Sequence, residues 1–353
     1  MKLSPPAEIG SSLRRARFLK FGSGTLRVFP LQLLWIFGLM LLLGVLGLVA
    51  LSLGDLRIGL GELFQALAGK GSRLSIHLVR ELRLSRITVA VLAGVHLAAA
   101  GHIFQVLIRN PLASPDIIGI TAGASAAAVA WLVNGGSTDL AAVPASAGAL
   151  SASALVYVFS RTGAFSENRL VLVGVGVNAA LTALVQLFIV SGSIHNVSRA
   201  YQWLAGSLYA SSWQDARFLL ISGLVLIPPA LYFLIRIRPL VLGSDAAETL
   251  GVRLEFLRYA LLILGSLLSA MAVSLTGPIG FLALMVPQLA RGIMGGTSSS
   301  SAVILPVAML LGGVMLLGSD IAAQHLFPVS IPVGLITAAV GAPYFLMLLR
   351  RRS

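Results

Sequence analysis

The sequence has no cysteine, and only 10% of its 353 residues are charged, 12 of them acidic. The first absence removes disulfide frameworks, thiol nucleophiles and Cys-ligated metals from consideration. The second removes the ordinary soluble domain, in which about a quarter of the residues carry charge. Catalytic signatures are missing as well. There is no GxxxxGK[ST] loop to cradle nucleotide phosphates and no GxSxG elbow to present a serine, so the chain itself neither binds ATP through a P-loop nor acts as a hydrolase of that type. Its histidines also lack the spacing of a metal site. His96 and His102 fall on different faces of one helix, while His77, His195 and His325 lie near the ends of apolar runs.

What the chain does have is apolar length. Hydrophobic residues make up 57% of it, and there are 37 glycines. This is the composition of a polytopic, all-α membrane protein, in which small residues let helix backbones approach closely. The formal charge of +13 is not the footprint of a nucleic-acid binder, because the arginines gather at the ends of apolar runs and form no separate basic domain.

A basic segment, 1–29, carries Lys2, Arg14, Arg15, Arg17, Lys20 and Arg27. The apolar run that follows, from about Leu31 to Leu53, is long enough to cross a hydrocarbon core of about 30 Å. It lacks a small-residue cleavage site and reads as an uncleaved first span. Beyond a polar connection, Gly54 to Glu81, further spans are expected near 84–108, 117–134, 140–160, 170–192 and 213–235, then near 257–275, 280–294, 303–325 and 332–349. That makes about ten, at roughly 17–25 residues each. The whole chain, 1–353, reads as one membrane domain, with the first six helices in 30–235, a water-soluble connection at 236–256 and the last four helices in 257–353. An even number of spans returns both termini to the cytoplasm. The positive-inside rule then suits Arg109, Arg161, Arg169, Arg236, Arg238 and Arg350 to Arg352, and leaves Arg57, Lys70, Arg73, Arg80, Arg83 and Arg86 outside.

Two runs of Pro and Gly break the spans: Asn110-Pro111-Leu112-Ala113-Ser114-Pro115-Asp116 and Thr276-Gly277-Pro278-Ile279-Gly280. Each follows a span that opens with arginines, and the two fall on opposite sides of the membrane. This is the pattern of an inverted repeat around a central pathway. Of the acids near spans, Asp116 is expected to cap the helix it precedes and Asp320 to reach the outer interface. In the 236–256 connection Pro239 stops a helix. Gly243-Ser244 offers a turn and N-cap, Asp245 and Glu248 suit the first turn of a short helix, and Gly251 suits its end. By itself this stretch is equally a solvated loop or a docking element.

Four groups of residues resemble the permease subunits of bacterial ABC importers for iron-siderophores, haem and vitamin B12, the FecCD family. They are Arg83-Leu84-Ser85-Arg86 with Arg109 through Gly119; Trp203-Leu204-Ala205-Gly206-Ser207-Leu208 with Trp213; Leu242-Gly243 to Leu250-Gly251-Val252; and Gly277 to Phe281 with Val286-Pro287-Gln288-Leu289-Ala290-Arg291, Ile331 to Gly334 and Gly341-Ala342-Pro343. The resemblance spans about Arg80 to the C-terminus. It implies a ten-helix permease of the bacterial inner membrane, paired with a second permease subunit, identical or related. By the same resemblance two cytoplasmic ATPase subunits are expected to bind the ATP and Mg, leaving this chain without a cofactor of its own. A periplasmic or lipid-anchored substrate-binding protein completes the assembly.

The resemblance also distributes roles. Gly243, Ser244, Ala247, Leu250 and Gly251 fall in the ATPase-coupling loop, and Arg83 and Arg86 receive acidic residues of the binding protein. Asn178, Thr182 and Gln186, at i, i+4 and i+8, line the path by this likeness, although the same stripe would also serve as polar glue between helices. Glu167 and Asn168 match the cytoplasmic gate, where smaller hydroxyl residues are usual. Gln288 stands where a histidine is common, and the region of Gln324-His325 lacks an arginine that some members use in docking. The family's commonest substrates, with the stretch Ala200-Tyr201-Gln202-Trp203-Leu204, point to an iron(III)-siderophore, with vitamin B12 or haem as alternatives. A proton-coupled secondary transporter would instead need essential buried acids. An intramembrane enzyme would need a nucleophile with its base, or a metal cluster.

Overall fold

In a computed structural model the described residues are 17–21, 24–28, 30–54, 56, 58–161, 166–237, 249, 253–294 and 301–350. The expected all-α membrane architecture is present, with one addition ahead of it. Two strands, Arg17–Phe21 (β1) and Gly24–Val28 (β2), pair antiparallel, with Arg17 opposite Val28 and Phe21 opposite Gly24. An extended segment with no helix to satisfy its backbone groups satisfies them in a ladder instead.

The helices follow in order: α1 (Pro30–Ser52), α2 (Leu60–Leu67) and α3 (Arg73–Ile76), the last running through a π-helical stretch, His77–Arg83, into α4 (Leu84–Leu107). After α5 (Ile120–Val133) come α6 (Ala142–Ser160), α7 (Glu167–Ser191), the short α8 (Ile194–Leu204) and α9 (Trp213–Arg236). The chain ends with α10 (Leu254–Thr276), α11 (Leu282–Ile293), α12 (Ser301–His325) and α13 (Val333–Arg350). Among the described residues, seven helical segments are long and apolar enough to cross a membrane. Three shorter apolar helices, Ile120–Val133, Leu282–Ile293 and Val333–Leu348, lie among them.

Helix α4 is the central post. It packs against α9, α10, α11 and α12 and is buried along most of its length. What lets the neighbours in is missing side-chain volume. A Cβ on Gly94 would stand 2.3 Å from the carbonyl oxygen of Gly312, and a Cβ on Gly312 would stand 2.3 Å from that of Gly94, so α4 and α12 touch backbone to backbone. The periphery is the reverse. Helix α1 turns Leu34, Phe37 and Leu41 outward, as a helix in contact with lipid does.

Both expected breaks are present. The first lies between Leu107 and Ile120, the second between Thr276 and Leu282. Each holds one of the two non-glycine residues with positive φ among those described, Arg109 (φ 50°) and Phe281 (φ 63°). Left-handed backbone costs about 1–3 kcal/mol per residue. The surrounding packing therefore fixes these two turns against their local preference. One expectation fails here. Asp116 does not cap α5, which begins four residues later behind Gly119 (φ 87°). Its carboxylate instead accepts a 2.5 Å hydrogen bond from the Thr121 hydroxyl. The glycine lets the chain turn before the helix starts, which carries Asp116 past the capping position.

A candidate translocation cavity and its two ends

Between the breaks lies a cavity of about 470 Å³. The first break contributes Ser114, Asp116 and Ile117, and the second contributes Pro278, Gly280 and Phe281. Thr121, Ala122 and Ser125 of α5, Asn178, Thr182 and Val185 of α7, Leu204 and Leu284 complete the wall. The lining thus mixes hydroxyls, one amide and one carboxylate with apolar groups. Among the described residues no cluster of three or more His, Asp or Glu could hold a metal ion.

The α7 stripe divides between the cavity and the helix exterior. Asn178 and Thr182 line the cavity, whereas Gln186 is exposed and outside it, with Val185 in its place. At 3.6 residues per turn, a position seven residues on stays within about 20° of the starting direction, while one eight residues on has drifted by about 80°.

At the end of the molecule where α7 begins, Ser166 caps the helix by accepting from the Arg169 amide at 3.4 Å. Glu167, the first residue of the helix, lies between two cations: Arg109 Nε at 3.4 Å and Arg258 Nη2 at 3.8 Å from its Oε1. Asn168 is exposed beside it. Sequence patterns missed this grouping, because its members come from three elements far apart in the chain. They also missed a second tie nearby. Gln105, buried in α4, donates to the Leu284 carbonyl at 2.9 Å and accepts from Arg291, while Gln288 donates to the Pro111 carbonyl at 2.5 Å. Amides inside apolar spans were the available signal. In the sequence Gln288 stands out only as a departure from the family pattern.

At the opposite end, both expected docking arginines are engaged internally. Arg83 donates to the Leu51 and Leu56 carbonyls at 2.5 and 2.6 Å, tying α4 to the end of α1. Arg86 forms a two-pronged pair with Asp320, Nε to Oδ2 at 2.9 Å and Nη2 to Oδ1 at 2.7 Å, and Gln324 adds a 2.8 Å hydrogen bond to the same carboxylate. Asp320 is only 2% exposed, so it does not reach an interface as expected; a buried carboxylate is retained where a cation and an amide satisfy it. Lys70, Arg73 and Arg80 nearby are exposed. Backbone bonds join the segments at this end, Ser207 N donating to Thr276 O at 2.8 Å and Gly334 N to Gly206 O at 3.2 Å. The coupling-loop residues Gly243, Ser244, Ala247, Leu250 and Gly251 lie outside the described residues.

Among known protein families, the model of the FecCD transport family matches residues 41–351. The chain belongs to the FecCD family. It is 39% identical over 321 residues to the probable siderophore transport system permease protein YfhA of Bacillus subtilis, covering 86% of this chain and 92% of that one. It is 36% identical over 312 residues to the ferric enterobactin transport system permease of Escherichia coli (88% and 93% covered), and 36% identical over 278 residues to the cobalamin import system permease of Halobacterium salinarum (78% and 74%). A solved inward-facing structure described as a metal-chelate type ABC transporter superposes with a TM-score of 0.80 at 29% identity, covering 90% of this chain and 98% of the other. As a FecCD permease, the chain is the multi-span membrane component of a bacterial inner-membrane ABC importer, and its ATPase is a separate subunit.

Proposed function

We propose that this FecCD permease moves an iron(III)-siderophore inward by alternating access, driven by ATP hydrolysed in its partner subunits. The observation that carries the reading is the cavity held between two breaks at opposite ends of the molecule, walled by Asn178 and Thr182. A lining of hydroxyls, one amide, a single carboxylate and apolar groups suits a chelate that keeps its iron wrapped, since a bare ion would need a larger set of ligands. Helix α7 leaves Leu172, Leu187 and Val190 exposed, which fits a second permease subunit, the same chain or a related one, packing beside the cavity. Gln186, outside the cavity, then faces that shared seam. With the three shorter helices crossing, the spans number about ten and both termini are cytoplasmic.

In this reading the ATPase pair grips the 236–256 connection through Gly243, Ser244, Ala247, Leu250 and Gly251, and its closure carries the helices around the path as rigid bodies. Substrate arrives with a binding protein at the basic end. Because the Arg83 and Arg86 guanidiniums donate inward, the exposed Lys70, Arg73 and Arg80 steer the encounter, with Arg83 at the partly exposed rim.

The test is uptake by the permease–ATPase complex with its binding protein in proteoliposomes, offered ferric enterobactin, ferrichrome, haem and cyanocobalamin. ATP-dependent accumulation of a ferric siderophore is expected. Accumulation of haem or cobalamin alone would overturn the substrate. Uptake driven by an imposed proton gradient without the ATPase would overturn the mechanism. Gly243→Glu with Leu250→Glu is expected to abolish ATPase co-purification, and survival of both uptake and co-purification would remove the coupling loop's role.

A further inference from the structure

Glu167 sits where three moving parts of the proposed transporter meet. It opens α7, whose Asn178 and Thr182 form one cavity wall. Arg109 ends the α4 side of the first break, whose Ser114, Asp116 and Ile117 form another wall. Arg258 stands in the second turn of α10, the helix that continues from the coupling connection. A single carboxylate oxygen therefore ties both cavity walls to the element next to the ATPase.

The two pairs are unequal, which matters for what they do. The Arg258 side chain is 11% exposed against 41% for Arg109, so the Arg258 pair is screened less by solvent and salt. At 3.8 and 3.4 Å both are longer than a tight charge-assisted hydrogen bond of about 2.7–2.9 Å. Glu167 is thus attracted to both cations without being locked to either. Arg109 also holds a left-handed backbone conformation in the break itself, so a change in its side-chain partner acts on a turn that already carries strain.

We infer that Glu167 is a positioning residue that transmits movement of α10 to the first break and to the cavity wall of α7. The inference rests on the proposed ATP-driven mechanism. When α10 shifts with the coupling connection, Arg258 draws the start of α7 with it, and Arg109 registers the change at the mouth of the cavity. Neutralising Glu167 leaves both walls in place and removes this ionic link to α10, while the direct packing of α4 and α5 against α10 remains.

The absence of native cysteine supplies the measurement. In the assembled permease–ATPase complex, Asn168→Cys puts one thiol at an exposed position beside Glu167, and its reaction rate with a membrane-impermeant maleimide is read with and without ATP plus vanadate. A nucleotide-dependent rate change of roughly tenfold is expected, within the range of typical site-to-site couplings. It should shrink to under about twofold when Glu167→Gln or Arg258→Gln is added. Combining the two should add little to either alone, because both remove the same link. Glu167→Asp should restore part of the response, which a merely structural defect would not. The inference is overturned if the nucleotide response persists undiminished in Glu167→Gln, or if nucleotide leaves the rate unchanged while the ATPase is bound. Failure of the ATPase to co-purify with the native permease would instead overturn the proposed function. Should Arg258→Gln not fold, Arg109→Gln, at the more exposed pair, is expected to weaken the response in the same direction.

Discussion

A carboxylate that is 2% exposed inside a membrane bundle survives because Arg86 and Gln324 give both of its oxygens a partner. The geometry is two-pronged, so it also fixes the angle at which α4 meets α12. Removing one member is costlier than removing both, since the survivor stays buried and charged. Arg86→Ala should therefore lower stability by about 3–5 kcal/mol. Arg86→Ala combined with Asp320→Asn should recover part of that loss. Thermal unfolding of the purified permease in detergent checks both. The residue types here were legible, and so was the pairing of Arg83 with Arg86 as a motif. The direction of their guanidiniums was not. The partner of Arg86 lies 234 residues along the chain, and no local pattern encodes a contact at that range.

Among the elements, α7 shows how far periodicity reaches. The stripe of polar residues drifts by about 40° with each step of four, so Asn178 and Thr182 still face the cavity and Gln186 leaves it. Single-thiol variants of this cysteine-free chain make the prediction concrete. In the assembled transporter Asn178→Cys, Thr182→Cys and Val185→Cys should share one pattern of protection by transported chelate, and Gln186→Cys should differ from it. A shared pattern for all four would mean that the cavity wall turns with the stripe. The Pro- and Gly-rich breaks were equally readable, because those residues dictate backbone behaviour wherever they stand. The β1–β2 hairpin, the π-helical stretch before α4 and the left-handed turn at Arg109 were not, since tertiary packing and not local preference imposes them. The glycines signalled close packing in general, but only the fold pairs Gly94 with Gly312. Gly312→Ala should cost about 1–3 kcal/mol by prising α4 from α12, read as a lowered melting temperature.

Across the whole molecule, positive charge is concentrated at both ends with few acids to balance it, and the two ends use it differently. At the end proposed to face the cytoplasm, Arg109 and Arg258 are engaged by Glu167, while Arg161, Arg236 and Arg253 stand exposed where the positive-inside rule would put them. At the other end the cations divide into two sets. Arg83 and Arg86 hold helices together, whereas Lys70, Arg73 and Arg80 face solvent with nothing structural to explain their sign. Exposed charges act over about 8–10 Å at ordinary salt, far enough to orient an approaching acidic protein and too weakly to hold it. The sets should therefore fail in different ways. Charge reversal by Lys70→Glu, Arg73→Glu and Arg80→Glu together should slow binding-protein association by about tenfold or more at low ionic strength, with the deficit fading at high salt and the melting temperature unchanged. Arg86→Ala should do the opposite, lowering the melting temperature at any salt concentration while changing the association rate of the folded fraction little. Stopped-flow association rates measured against ionic strength separate the two. A salt-independent loss of binding in the triple variant would mean that these cations make close contacts, not long-range ones.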